Sequence, residues 1–147
     1  IYIIVKAKRK KQKGARKPRR PAEPPHVTAI RELEKLQSEK LWQHQRHKLY
    51  YTRLTDIVRD YIEARYGVNA MEMTSDEITA ALRELHIPER SFEQIRRLLS
   101  TADYVKFAKY VPSVEDNEMS YNDAYYFVEE TKFLAAEPEE SGKEGEA

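Results

Sequence analysis

The sequence predicts an all-α fold, a single small bundle of about five to six helices, on three observations. Apolar residues recur at i, i+3, i+4 and i+7 through the middle of the chain, and no segment there alternates with period two over a useful length. Helix-start patterns of the Ser/Thr-x-x-Glu/Gln kind, and glycine or proline stops, punctuate the periodic stretches. Of four glycines only Gly67 falls in the middle, which argues against P-loops, dinucleotide-binding turns and glycine-turned hairpins. A composition 40% hydrophobic and 35% charged is too polar for a protein that lives inside the bilayer, yet has enough Leu, Ile, Tyr and Phe for a small core.

Thr28 reads as the N-cap of a first helix over about 28–42, with Ile30, Leu33, Leu36, Gln37 and Leu41 on one face. A second helix is predicted over about 46–66, facing inward with Tyr50, Leu54, Ile57, Val58 and Tyr61, flanked by Tyr51 and Ile62, and ended by Gly67. Arg65 lies within that apolar stripe, so it either emerges at the helix end or pairs with a buried acid. Thr74 and Glu77 form a capping box for a third helix that buries Ile78, Ala81, Leu82 and Leu85. Ser91 with Gln94 reads as a second box, opening a fourth helix with Phe92, Ile95, Leu98, Leu99 and Ala102. Tyr104, Phe107, Ala108 and Val111 form a new stripe out of phase with these, which places a break near Thr101–Asp103 and a short helix over about 103–110. Residues 113–119 read as an acidic loop. Ser120 and Asp123 then cap a last helix over about 121–135, facing the core with Ala124, Phe127, Val128, Thr131 and Leu134.

The ends of the chain differ from its middle. Residues 1–5 are wholly apolar and run directly into ten cations with no acid: Lys6, Lys8, Arg9, Lys10, Lys11, Lys13, Arg16, Lys17, Arg19 and Arg20. This is the pattern of a transmembrane helix at its cytoplasmic exit, with residues 1–5 its last turn and the cations set to bind anionic lipid. The alternatives are a strand stub, a vector remnant, or a soluble helical domain whose basic arm tracks nucleic-acid phosphates; lacking interleaved aromatics, such an arm would not read bases. Residues 6–27 form a basic, proline-rich linker, 28–135 the helical domain, and 136–147 an acidic tail; linker arm and tail are expected to be disordered.

Chemistry-bearing patterns are sparse. No cysteine is present, which excludes disulfides, thiol nucleophiles and Cys-ligated zinc. His44 and His47 have a two-ligand spacing, but they flank a helix–helix turn with no further ligand motif, and no metal or cofactor is expected. The loop Glu115-Asp116-Asn117-Glu118 lacks the glycine and alternation of a calcium loop. Asp56 and Asp60 lie on a charged face where nothing would raise a carboxylate pKa. The expectation is a non-catalytic domain that binds a protein partner and no small-molecule substrate. Its candidate docking residues are Tyr126, Glu130 and Phe133, on the side of the last helix away from its core stripe.

The run Tyr51-x-x-Leu54-x4-Arg59-x-Tyr61-Ile62-Glu63-x-Arg65-Tyr66-Gly67-Val68-x-Ala70-x-Glu72-x-Thr74-x-x-Glu77-Ile78, followed by Ala102-Asp103-x-Val105-Lys106-Phe107-Ala108-Lys109, resembles the C-terminal cytoplasmic domain of BatD-like single-pass membrane proteins of the Bacteroidetes aerotolerance type. The resemblance covers roughly residues 28–135. It implies a helical domain at the cytoplasmic face of the bacterial inner membrane, in an envelope or stress-tolerance assembly. It also implies MoxR-type AAA+ ATPases or von Willebrand A-domain membrane proteins as partners, and it supplies no catalytic residues.

Overall fold

A computed structural model describes the backbone of residues 23–146 and the side chains of residues 23–132. Residues 1–22, with the apolar run and the basic cluster, and the side chains of the acidic tail lie outside the described residues. Five α-helices follow in order: α1 (Pro25–Ser38), α2 (His47–Tyr66), α3 (Ser75–Glu84), α4 (Glu89–Phe107) and α5 (Val114–Glu146). Short 3-10 turns, Trp42–His44 and Ala70–Glu72, join α1 to α2 and α2 to α3. No strand occurs among the described residues, and the all-α bundle expected from periodicity is the observed architecture.

The core is one contiguous cluster drawn from every helix. Leu33 and Leu36 of α1, Tyr51, Leu54, Val58 and Ile62 of α2, Ile78 and Leu82 of α3, Ile95 and Leu98 of α4, and Phe127 and Val128 of α5 are fully buried. The most extensive contacts are α4 on α5 and α1 on α2. Polar cross-links fix the direction of each neighbour. Tyr51, early in α2, places its hydroxyl 2.9 Å from Asn117 Oδ1 and 3.1 Å from Ser120 Oγ, while Tyr61, late in α2, meets Thr131 Oγ1 at 2.6 Å. These contacts make α2 and α5 parallel. Arg97 donates to both Asp123 carboxylate oxygens at 2.8 and 2.7 Å, and Arg90 reaches Glu130 at 3.7 Å, so α4 runs antiparallel to α5. Arg65, read as emerging or as pairing with an acid, donates instead to the Thr131 carbonyl at 2.7 Å and stacks over the Tyr66 ring.

Several local expectations hold. α2 begins within a residue of its predicted start and ends at Gly67, whose φ of 74° is a left-handed cap that its lack of a Cβ makes cheap. The Thr74–Glu77 box is present in both directions, Glu77 N–H to Thr74 Oγ1 at 3.2 Å and Thr74 N–H to Glu77 Oε1 at 2.9 Å.

Others are corrected. α1 starts at Pro25, because proline at the first helical position needs no partner for its missing N–H; the Thr28 hydroxyl, expected as a cap, donates to Glu23 instead. The same helix stops at Ser38 rather than near 42, and Leu41 reaches the core from the turn beyond. Ser91 and Gln94 do not cap α4, which begins at Glu89 after Pro88; both lie inside the helix on its buried side. The break expected near Thr101–Asp103 is absent, since Ala102 and Val105 carry the buried face of α4 through to Phe107.

The acidic loop expected over 113–119 is helical from Val114 onward, so α5 starts seven residues earlier than predicted. Its true box is Ser113 with Asp116: Asp116 N–H donates to Ser113 Oγ and Ser113 N–H to Asp116 Oδ2, both at 3.0 Å. The Tyr110 hydroxyl and the Ser113 groups hold the Asp116 carboxyl below the usual carboxylate range. A depressed folded pKa means stability that is present above the unfolded value and lost as pH falls through the folded one. Ser113→Ala should therefore cost about 1 kcal/mol in urea unfolding at neutral pH. Asp116→Asn should in addition flatten the acid side of the stability profile. No change in either variant would return the helix start to residue 121.

Candidate functional site

Parallel and antiparallel packing gives the bundle two distinct ends. At one lie the start of α1, the end of α2, α3 and the start of α4; at the other lie the end of α1, the start of α2, the end of α4 and the start of α5. The second end carries a concentration of uncovered apolar surface. Among the described residues nine large hydrophobic side chains are exposed, and five of them, Tyr104, Phe107, Tyr110, Val111 and Val114, fall between residues 104 and 114. Phe107 is 78% exposed and Val111 73%, far beyond what incidental surface apolar residues need.

Local backbone geometry builds this strip. After Phe107 the chain passes through Lys109 in the left-handed region, φ 58°, and Tyr110 N–H bonds back to the Tyr104 carbonyl at 3.2 Å. The turn folds the Tyr110 ring beside that of Tyr104, centroids 6.5 Å apart, and the Tyr110 hydroxyl donates to Asp116 at 2.5 Å. Tyr110 is therefore pinned at the mouth of the strip, and the hydrogen bond to Asp116 holds its phenol above the ordinary value.

Beside the strip, between the start of α2 and the end of α4, runs an open groove of about 440 Å³ lined by Gln45, Arg46, His47, Lys48, Leu49, Val105, Lys109, Tyr110 and Val111. It contains three cations and no carboxylate. Lys106, one residue along from Val105, is half-buried with Nζ 3.4 Å from Thr55 Oγ1, and burial, then the nearby Arg59 charge, pull its pKa down.

The residues singled out from sequence stand elsewhere. Tyr126 is 48% exposed, with its ring edge-on to Tyr125 at 5.3 Å, and Tyr125 in turn stacks on Tyr121. Glu130 is occupied by Arg90. The side chain of Phe133 lies outside the described residues, as do the ten cations from Lys6 to Arg20. His44 Nδ1 sits 2.8 Å from the Lys40 carbonyl, and among the described residues no group of three or more His, Cys, Asp or Glu gathers as a metal site. Among the described residues no helix is long and apolar enough to cross a membrane.

The strip is visible in the sequence as a period, Tyr104, Phe107, Ala108 and Val111, which reads as the buried face of a separate short helix; the structure leaves all four exposed. Tyr104 and Phe107 are out of phase with Ile95, Leu98 and Ala102 on the unbroken α4 and so face away from the core, whereas Ala108 and Val111 lie beyond the helix end, where the chain has left the helical path. Neither family models, curated proteins nor solved structures give a match to this chain.

Proposed function

We propose that this chain is a non-catalytic protein-interaction domain, tethered through its N-terminal arm to the cytoplasmic face of a bacterial inner membrane and docking a partner subunit. The observation that carries the reading is the exposed strip Tyr104, Phe107, Tyr110, Val111 and Val114. Leaving several large apolar groups in water sacrifices roughly 25 cal/mol per Å² of burial, and exposed apolar side chains concentrated in one short stretch favour a docking role. Aromatic residues held by their own hydrogen bonds, as Tyr110 is, make effective anchors because little side-chain freedom is lost on binding. The tether is supported by the apolar run 1–5 and the ten cations that follow it. The resemblance to BatD-like domains supports an ATPase or a von Willebrand A-domain protein as the partner class.

Affinity isolation from detergent-solubilised native membranes, with the wild-type chain and with Phe107→Asp plus Val111→Asp, tests this. Both side chains are largely exposed, so melting temperature should move by no more than about 2 °C while a specific partner is lost. Tyr126→Ala should retain that partner, because the strip over residues 104–114 is the docking surface. An identical partner list for wild type and double variant contradicts the reading.

A further inference from the structure

We propose that the groove between the start of α2 and the end of α4 receives an acidic segment of another protein, one carrying large apolar side chains among its Asp and Glu residues. This rests on the interaction reading above and adds the chemistry of the partner. Arg46, Lys48 and Lys109 line the groove with Leu49, Val105, Tyr110 and Val111, and no carboxylate lines it. Among the described residues the ion pairs join other groups, Arg31 to Glu23, Arg53 to Glu39, Arg90 to Glu130, Arg96 to Glu93, Arg97 to Asp123 and Lys132 to Glu129, so the groove's three cations remain available. Asp116, at the neighbouring start of α5, is already engaged by Tyr110 and Ser113. A surface that pairs an apolar floor with a single sign of charge selects a segment of the opposite sign and steers its approach.

The placement of the groove favours a separate protein over the other acidic candidates. α2 is 20 residues long, about 30 Å, and the groove lies at its start. The arm joins at Pro25, and α1 runs antiparallel to α2, so the chain enters the bundle at the end opposite the groove. The acidic tail likewise leaves from the far side, because α5 starts beside the groove and has reached the end of α2 by Thr131. The chain's own tail, residues 136–147, also carries no large apolar side chain to meet Leu49, Val105 and Val111, so it answers the charge of the groove and not its apolar lining.

Lys109 provides a clean probe. Its φ of 58° is a conformation glycine adopts without strain, so Lys109→Gly removes the cation while easing the backbone. The experiment is selection of an unbiased 16-residue peptide library on the full chain, followed by fluorescence anisotropy with the selected peptides, the chain's own tail peptide and vesicles containing anionic lipid. Selected peptides should be rich in Asp and Glu with Leu, Phe or Trp between them. Binding should fall at least about tenfold in Arg46→Glu plus Lys109→Glu and about threefold in Lys109→Gly, and should weaken when the apolar peptide residues become Ala. The basic arm is intact in every variant, so its general attraction for acids cancels from the comparison. Neutral or basic selected peptides, affinity indifferent to the groove substitutions, absence of any binder, or tighter groove-dependent binding of tail peptide or vesicles would each overturn the proposal. If such a result coexists with Phe107-dependent partner isolation, the partner chemistry is wrong and the interaction reading stands; loss of both removes the reading as well.

Discussion

Leu54→Ala should lower the unfolding free energy by about 2–5 kcal/mol, a large part of the roughly 5–15 kcal/mol that holds a domain of this size together. Leu54 sits at the middle of α2, fully buried, in the helix that contacts α1, α4 and α5. Truncation removes the transfer free energy of its methyl groups and leaves a cavity that three neighbours cannot close together. Ile57, one turn away and half-buried at the rim of the same cluster, should cost distinctly less on the same change. Urea unfolding of the two variants with unchanged m-values measures the difference. Equal losses would mean that α2 is rotated relative to the position seen here.

Raising the pH from 10 to 12 should unfold the domain through its buried tyrosines. Burial pushes Tyr51 and Tyr61 up from 10 to about 12, partly offset by the hydrogen bonds to Ser120 and Thr131, and burial also raises Tyr50. A folded pKa above the unfolded one contributes stability that is complete below pH 10 and disappears as pH rises to the folded value. Each of the two phenols thus contributes on the order of a few kcal/mol, enough for the pair to dominate the alkaline limb. Helicity followed by circular dichroism should collapse in that window together with the appearance of phenolate absorbance. Tyr51→Phe and Tyr61→Phe should each move the collapse upward, at a neutral-pH cost of about 1 kcal/mol for the lost hydrogen bond. Phenolates that all form near pH 10 with helicity intact would contradict the buried placement.

The parts of the fold legible in the sequence are those where several local signals coincide. For α2, a long apolar stripe and Gly67 bound the same helix, and for α3 the Thr74–Glu77 box lies directly before an apolar run. Errors arise where the right residue types stand at the right spacing for another reason. Ser91 and Gln94 imitate a box inside α4, and Ser120 and Asp123 imitate one inside α5, where Ser120 meets Tyr51 and Asp123 holds Arg97. Serine and aspartate bind backbone at a helix start and side chains within a bundle, and spacing alone does not separate the two uses.

The candidate site is less legible still. Period and composition suggest a short helix carrying Tyr104, Phe107 and Val111 on one buried face, but α4 ends at Phe107, a left-handed turn at Lys109 follows, and all three side chains are left exposed. The groove unites Arg46 and Lys48 with Lys109, residues some sixty positions apart, and no sequence pattern joins them.

Photo-crosslinking from position 107 in intact cells, with a diazirine amino acid in place of Phe107, reads out whether the strip meets a protein. A control carries the same group at Ser100, on the exposed side of α4 well before the strip. A docking strip gives a discrete, reproducible protein adduct from position 107, none from position 100, and loss of the adduct when Val111→Asp is added. Adducts that are absent, purely lipid, or equal from both positions would contradict it.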